Sequence, residues 1–326
     1  MSLIIAFIIL ILGFALLATG ANFLIDSGAS VAKKLGVSTL LIGLTIIALG
    51  TSLPELMIAF STLFSGQAKL SIGNAIGANI ANIGFVLGIT SLYRPLQIHS
   101  GILKKEFPLL FIVMLLVGLM LLKHRLDPTD ALLLLFGAVA VIAWFIWIGL
   151  KAKQVPLAPE YTPILKERDI TTKTSYQKDI AYLILGIILL AIGAEITVQS
   201  ATYIANYFRI SSFIIGLTVV SLGTTLPELA TSLIGAKKQE DDMVVGNIIG
   251  SNIFNLLTVL AIPVLFHSVI LNKYVFYRDF LAMFGISSIF YLFAFTSIRQ
   301  QKKLTRPMGA SLIIIYISYV ALLYIR

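Results

Sequence analysis

GLTIIALGTSLPEL, residues 43–56, returns almost letter for letter as GLTVVSLGTTLPEL, residues 216–229. Each copy sets one carboxylate, Glu55 or Glu228, in otherwise apolar sequence. Each is followed by a stretch rich in glycine and asparagine: GNAIGANIANIG from Gly73 and GNIIGSNIFNLL from Gly246. The paired blocks are offset by 173 residues without insertion, and TGAN at Thr19–Asn22 aligns at the same offset with IGAE at Ile192–Glu195. An ionisable side chain in hydrocarbon is costly and is normally kept for function. Two in equivalent contexts predict one central cation site assembled from two halves.

The surroundings are those of a membrane protein. Of 326 residues, 58% are hydrophobic and 12% charged, against about 25% charged in soluble domains. A bilayer core takes about 20 apolar residues per helix. Ten such stretches are readable, near 3–25, 37–64, 70–93, 107–123, 130–149, 179–204, 210–235, 243–268, 275–297 and 309–325. The expected fold is an all-α polytopic membrane protein of ten transmembrane helices. A large soluble helical protein would need far more charge to cover its surface. The first stretch lacks a basic residue ahead of it and reads as a transmembrane helix, not a cleaved leader. The chain has no cysteine, which excludes disulfides and thiolate metal centres.

The net charge of +9 follows the membrane. With the N-terminus outside, the inward loops carry 17 of the 24 Lys and Arg residues, among them Lys33, Lys34, Arg94, Lys237, Lys238 and Arg306. That bias predicts both termini outside, in the inner or plasma membrane of a prokaryote. Anionic lipid headgroups suit these cations, whereas no loop combines a basic stripe with aromatics as nucleic-acid binding would require. No protein partner is called for. The polar segment 151–178, with Pro156, Pro159 and Pro163, reads as a cytoplasmic linker. It is too short for a regulatory domain. It separates a first five-helix repeat, 1–150, from a second, 179–326. An odd number of spans per half inverts the second copy.

The motifs gather hard oxygen donors. Pro54 lacks an N–H, so the carbonyl of Gly50 loses its helical partner and must be satisfied inside the membrane. The hydroxyls of Thr51 and Ser52 and the carboxylate of Glu55 lie within a turn of it. Gly223, Thr224, Thr225, Pro227 and Glu228 offer the same set. Two carboxylates with hydroxyls and carbonyls suit Ca²⁺, which takes about 6–8 oxygen ligands, and suit Na⁺ as well. His99, His124 and His267 fall near predicted helix ends, leaving soft metals without ligands. A kink made for packing alone, or a glutamate paired to a buried base, would be the structural alternative; no Lys or Arg lies in a predicted span near the repeats.

In the second stretches, Gly73/Gly77 and Gly246/Gly250 have the small-residue spacing of close helix packing. Asn82, Ser251 and Asn255 are placed to face the glutamates, with position 78 one turn from 82. For Asn74 and Asn247, nearer the helix starts, capping of local backbone and lining of the cation site stand as equal readings. Asp26, Asp130, Asp179 and Asp279 are expected at the interface, as are Trp144 and Trp147. Glu195 lies deeper, and Lys237 to Asp242 reads as a solvated loop.

GTSLPEL with GNAIGANIANIG, and GTTLPEL with GNIIGSNIFN, resemble the two α-repeats of the calcium/cation antiporter superfamily, and in particular its prokaryotic sodium/calcium exchanger-like branch. The resemblance covers both halves in order and implies ten helices in two inverted repeats. It implies a secondary active antiporter in which Glu55 and Glu228 bind Ca²⁺ and share the site with Na⁺. Thr51 and Thr224 would add oxygens, and Ser52, Thr225, Ser221, Ser251, Asn82 and Asn255 would complete neighbouring Na⁺ positions. Alternating access would move the first helices of the two halves against the rest. Both ions are substrates, and no cofactor is implied. Two positions depart from the family's pattern: Ala78 where many members have Ser, and Asn255 where some, including potassium-dependent ones, have Asp. Two formal carboxylates remain, which argues against potassium dependence. Proton/Ca²⁺ exchange by the same glutamates and a cation channel stay open as alternatives. An intramembrane enzyme lacks a nucleophile or metal centre.

Overall fold

The computed structural model describes residues 2–152, 175–208 and 221–324. Most of the linker, and the start of the second motif at 216–220, lie outside these. The helices are α1 (Leu3–Leu35), α2 (Thr39–Thr51), α3 (Leu53–Ser65), α4 (Ala68–Tyr93), α5 (Glu106–Leu121), α6 (Pro128–Ala152), α7 (Tyr176–Tyr207), α8 (Leu226–Lys237), α9 (Asp241–Val264), α10 (Val275–Arg299) and α11 (Arg306–Tyr324).

Among the described residues, seven helices are long and apolar enough to cross a membrane, and α2 with α3, bent by 47° at their junction, makes an eighth. The expected stretch 107–123 is α5, whose 16 residues span about 24 Å. The expected stretch 210–235 is described only from Ser221, as a helical turn Ser221–Thr224 followed by α8. The all-helical reading has one small exception, an antiparallel pairing of Arg125–Leu126 with Val269–Ile270.

Burial separates inner from outer helices. In α9, 94% of the most apolar window is buried; in α1 the figure is 22%. Ile4, Ile8, Ile11 and Phe14 of α1 and Ile314 and Ile317 of α11 are exposed, as lipid-facing surface requires.

The helix α1 runs ten residues beyond the expected 3–25. Its polar last turns find partners. Ser30 donates to Asp179 at 2.7 Å, and Lys34 pairs with the same carboxylate. Asp26 pairs with Lys238 at 2.7 Å. Gly36, at φ 67, ends the helix by returning its N–H to Lys33, a conformation that glycine adopts without strain. Asp179 is therefore 2% exposed and ties α1 to the start of α7, a correction to its expected interfacial position. Likewise Asp241 is 7% exposed, bonded to Arg94 and the Gln97 N–H, while Asp242 meets His99. The expected solvated loop instead docks α9 onto the chain leaving α4. Trp144 is half-buried against the core, and only Trp147 is exposed.

α1 and α7 cross antiparallel on glycines. A Cβ built on Gly13 would lie 3.2 Å from Gly193 O, and one on Gly193 would lie 3.1 Å from Gly13 O; Gly20 and Gly186 meet in the same way at 2.8 and 2.9 Å. At the 173-residue offset Gly13 corresponds to Gly186 and Gly20 to Gly193, so the contact maps onto itself. Close backbone approach is the main source of helix association in lipid. Gly20→Val and Gly193→Val are each expected to lose roughly 1–3 kcal/mol of stability, seen as a lowered melting temperature in detergent. Unchanged melting would contradict this packing.

Candidate functional site

Both glutamates sit just past a break in a helix. Ser52, at φ −83 and ψ 12, separates α2 from α3, and Thr225, at φ −89 and ψ 3, precedes α8. Each break is followed by proline at the second helical position and by Glu55 or Glu228 in the first turn. Proline suits a helix start because its missing N–H is not needed there. The first turn also carries unpaired N–H groups and the positive end of the helix dipole.

Glu55 and Glu228 are both 0% exposed and repel one another through space. Ser52 Oγ donates to Glu228 Oε1 at 3.2 Å, so the break in one half touches the carboxylate of the other. Thr51 and Ser251 flank Glu228, and Thr224 lies beside Glu55. Among the described residues no Lys, Arg or His pairs with either glutamate. Both oxygens of Glu55 and Oε2 of Glu228 are buried without a hydrogen-bond donor. Among the described residues Asn82 Oδ1 and Asn255 Oδ1 likewise find no donor, and Asn255 Nδ2 finds no acceptor. A buried polar atom left unpaired costs about 1–3 kcal/mol. Several such atoms in the helices around the two breaks call for a bound group or water to satisfy them.

A frame of amides holds these atoms. Asn79 Nδ2 donates to Asn252 O at 3.0 Å, and Asn252 Nδ2 donates back to Asn79 O at 3.4 Å. The two residues are repeat equivalents, and Asn82 Nδ2 adds a bond to Asn252 Oδ1 at 3.0 Å. Wide π-helical turns begin at Asn82 and at Asn255, again equivalent positions; such turns interrupt a helix locally and recur at functional sites. Asn247 is no local cap. It accepts from Thr51 Oγ1 at 3.1 Å and donates to Thr231 Oγ1 at 3.2 Å, joining α2, α8 and α9. Thr231 and Asn252 carry this frame and were not singled out from sequence. The offset of 173 from Asn79 pointed to Asn252, and a threonine one turn after Glu228 pointed to Thr231.

The structure thus brings Glu55, Glu228, Thr51, Ser52, Thr224 and Ser251 together, with Asn82 and Asn255 presenting unpaired atoms. Thr225 turns its hydroxyl to Leu222 O at 2.9 Å. The Ser221 side chain lies outside the described residues. Ala78 is buried, 4% exposed. Gly246 and Gly250 make the expected close contacts, with built Cβ atoms 2.6 Å from Leu40 O and Leu44 O, whereas Gly73 and Gly77, read in the same way from their spacing, have nothing within 4 Å of a built Cβ.

A cavity of about 730 Å³ reaches the site from the end of the molecule that carries Gly66. Its wall includes Pro54 and Thr224 at depth and Ser61, Gln67, Leu70 and Glu195 farther out. Glu195 is exposed and accepts from Gln199 at 2.6 Å.

Comparisons with known proteins give the family and the overall fold. The sequence profile of the family described as sodium/calcium exchanger protein matches residues 5–150 and 178–325. The inner membrane protein YrbG of Escherichia coli is 35% identical over 99% of this chain and 98% of its own. The sodium/calcium exchanger MaX1 of Methanosarcina acetivorans is 27% identical over 98% of each. The solved structure of the sodium-calcium exchanger NCX_Mj, soaked with Na⁺ and Sr²⁺, superposes with a TM-score of 0.82 at 28% identity, covering 98% of this chain and 99% of that one. This integral membrane protein belongs to the sodium/calcium exchanger family.

Proposed function

We propose that the protein is a secondary active antiporter that exchanges Ca²⁺ for Na⁺ at one site between Glu55 and Glu228, exposed alternately to the two sides of the membrane. One observation carries the reading: two fully buried carboxylates, contributed by equivalent breaks, have no basic partner among the described residues and leave three oxygens unpaired. One Ca²⁺ or several Na⁺ ions supply the missing positive charge. Oxygens of Thr51, Ser52, Thr224, Ser251, Asn82 and Asn255 complete the shells, and Ser221 and Thr225 lie on the same segment. An empty site holds two repelling charges in a medium that solvates them poorly. A filled site crosses the membrane at lower cost. That difference couples the two fluxes.

The ten-helix, inverted-repeat arrangement belongs to the same proposal, with residues 1–150 and 179–326 as its halves. It is supported by the self-mapping Gly13–Gly193 and Gly20–Gly186 contacts and by the reciprocal Asn79–Asn252 bonds. The basic ends of the helices face the cytoplasm in this reading, and the termini face outward.

Reconstituted protein tests the coupling. Ca²⁺ efflux from loaded proteoliposomes is expected to need external Na⁺ and to ignore a pH step or a K⁺ gradient. Efflux driven by pH without Na⁺ would replace Na⁺ by protons in the account, and flux without any counter-ion would indicate a channel. Glu55→Gln and Glu228→Gln are each expected to reduce exchange to the level of empty liposomes while eluting as folded protein in size-exclusion chromatography. Wild-type rates in either variant would remove that glutamate from the site.

A further inference from the structure

The cavity beside the site has an image in the other half. At the 173-residue offset its wall becomes a second set of residues: Leu70 corresponds to Met243, Ser61 to Ile234, Thr62 to Gly235, Val198 to Ile25 and Glu195 to Asn22. This second set lies between α1, α8 and α9, toward the end of the molecule that carries Gly36. It is closed. Leu70 is 60% exposed, whereas Met243 is 0% exposed. Ile25 Cδ1 stands 3.5 Å from a Cβ built on Gly235, and Met243 Cε stands 3.5 Å from one built on Gly28. Ala230 and Ile234 pack on the cluster that contains Ala21, Ile25 and Met243.

One contact at this closed end has no counterpart at the open one. Lys238 Nζ, at the end of α8, lies 2.7 Å from Asp26 Oδ1 and 3.4 Å from Asn22 O on α1. The equivalents of Lys238 and Asp26 are Ser65 and Gln199, which cannot form an ion pair. At the open end Gln199 bonds Glu195 instead. The ammonium group therefore rests on a carboxylate and a carbonyl, the hard oxygen donors that a passing metal cation would use.

We infer that the closed wall is the second ion pathway of the exchanger, and that Lys238 stands in its mouth as a tethered cation that must leave Asp26 and Asn22 before cargo passes. The inference rests on the exchange reading above, because a second pathway has a purpose only in a two-sided carrier. The pair is suited to opening: Asp26 is 65% exposed, and ion pairs in such surroundings hold weakly. Once Lys238 swings away, Asp26 and the Asn22 carbonyl become the first oxygens a cation meets on that side. Separation of α8 from α1 is the movement this requires, and the packed Ala230, Ile234 and Ile25 must part with it.

The absence of native cysteine makes the test direct. Ile234→Cys reports on the closed pathway and Ser61→Cys on the open cavity, each read by the rate of modification with a small water-soluble thiol reagent in proteoliposomes. Adding Lys238→Gln is expected to speed modification at position 234 by about fivefold, the scale of one weak ion pair, and to slow it at position 61. Asp26→Asn should act in the same direction, and Lys238→Arg should restore the slow rate. Ala230→Cys serves as a second reporter should Ile234→Cys fold poorly. Equal rates with Lys, Gln and Arg at 238 would overturn the inference. A shift in labelling without Na⁺-driven Ca²⁺ flux in the parent would instead overturn the exchange reading and leave the gate standing.

Discussion

Two buried carboxylates with no base paired to them among the described residues form the constraint on which the rest of this molecule depends. Hydrocarbon solvates charge poorly, and a like-charged neighbour makes the situation worse. Hydrogen bonds relieve part of the burden: Ser52 donates to Glu228, and the first turns of α3 and α8 present their N–H ends. Three carboxylate oxygens keep no partner among the described residues, and in the proposed exchange the transported cations neutralise them. Described Lys and Arg pair elsewhere, as in Lys34 with Asp179 and Arg94 with Asp241.

The helix breaks and the glycines serve that constraint from two directions. Breaks at Ser52 and Thr225 set Glu55 and Glu228 in the first turns of new helices, and the Ser52 hydroxyl meets Glu228. Glycines let the framework close around them. Gly246 and Gly250 bring α9 against α2 at backbone distance, and Gly13, Gly20, Gly186 and Gly193 do the same for α1 and α7. α9 becomes the most buried helix and α1 among the least. The amide frame sits in the buried centre and the antiparallel pair α1 and α7 lies outside it. Open space lies on one side of the site and packed side chains on the other, an asymmetry that the proposed two-sided exchange would need to reverse.

Much of this was legible in the sequence because the repeat is legible. The near identity of 43–56 and 216–229 located both carboxylates, both breaks and the hydroxyls beside them. The apolar stretches located the helices, and the glycine spacing located the close contacts of Gly246 and Gly250. What escaped was decided by long-range pairing. Asp179 looks interfacial by position and Asp241 looks like part of a solvated loop, yet each is buried because a base from a distant part of the chain arrives beside it. α1 outruns its apolar stretch for the same reason. Asn247 reads equally as a cap or as site lining, but the approach of α2 permitted by Gly246 places Thr51 within its reach. The wide turns at Asn82 and Asn255 carry no local sequence signature. They follow from the neighbours those asparagines face.

Anomalous diffraction from crystals soaked in Sr²⁺, a Ca²⁺ stand-in, tests the central claim most directly. The account predicts one dominant peak between Glu55 and Glu228, within about 2.3–2.8 Å of an oxygen from each, that fades as Na⁺ replaces Sr²⁺ in the soak. A peak elsewhere, or a site that stays empty at saturating Sr²⁺ while both carboxylates keep their places, would contradict it.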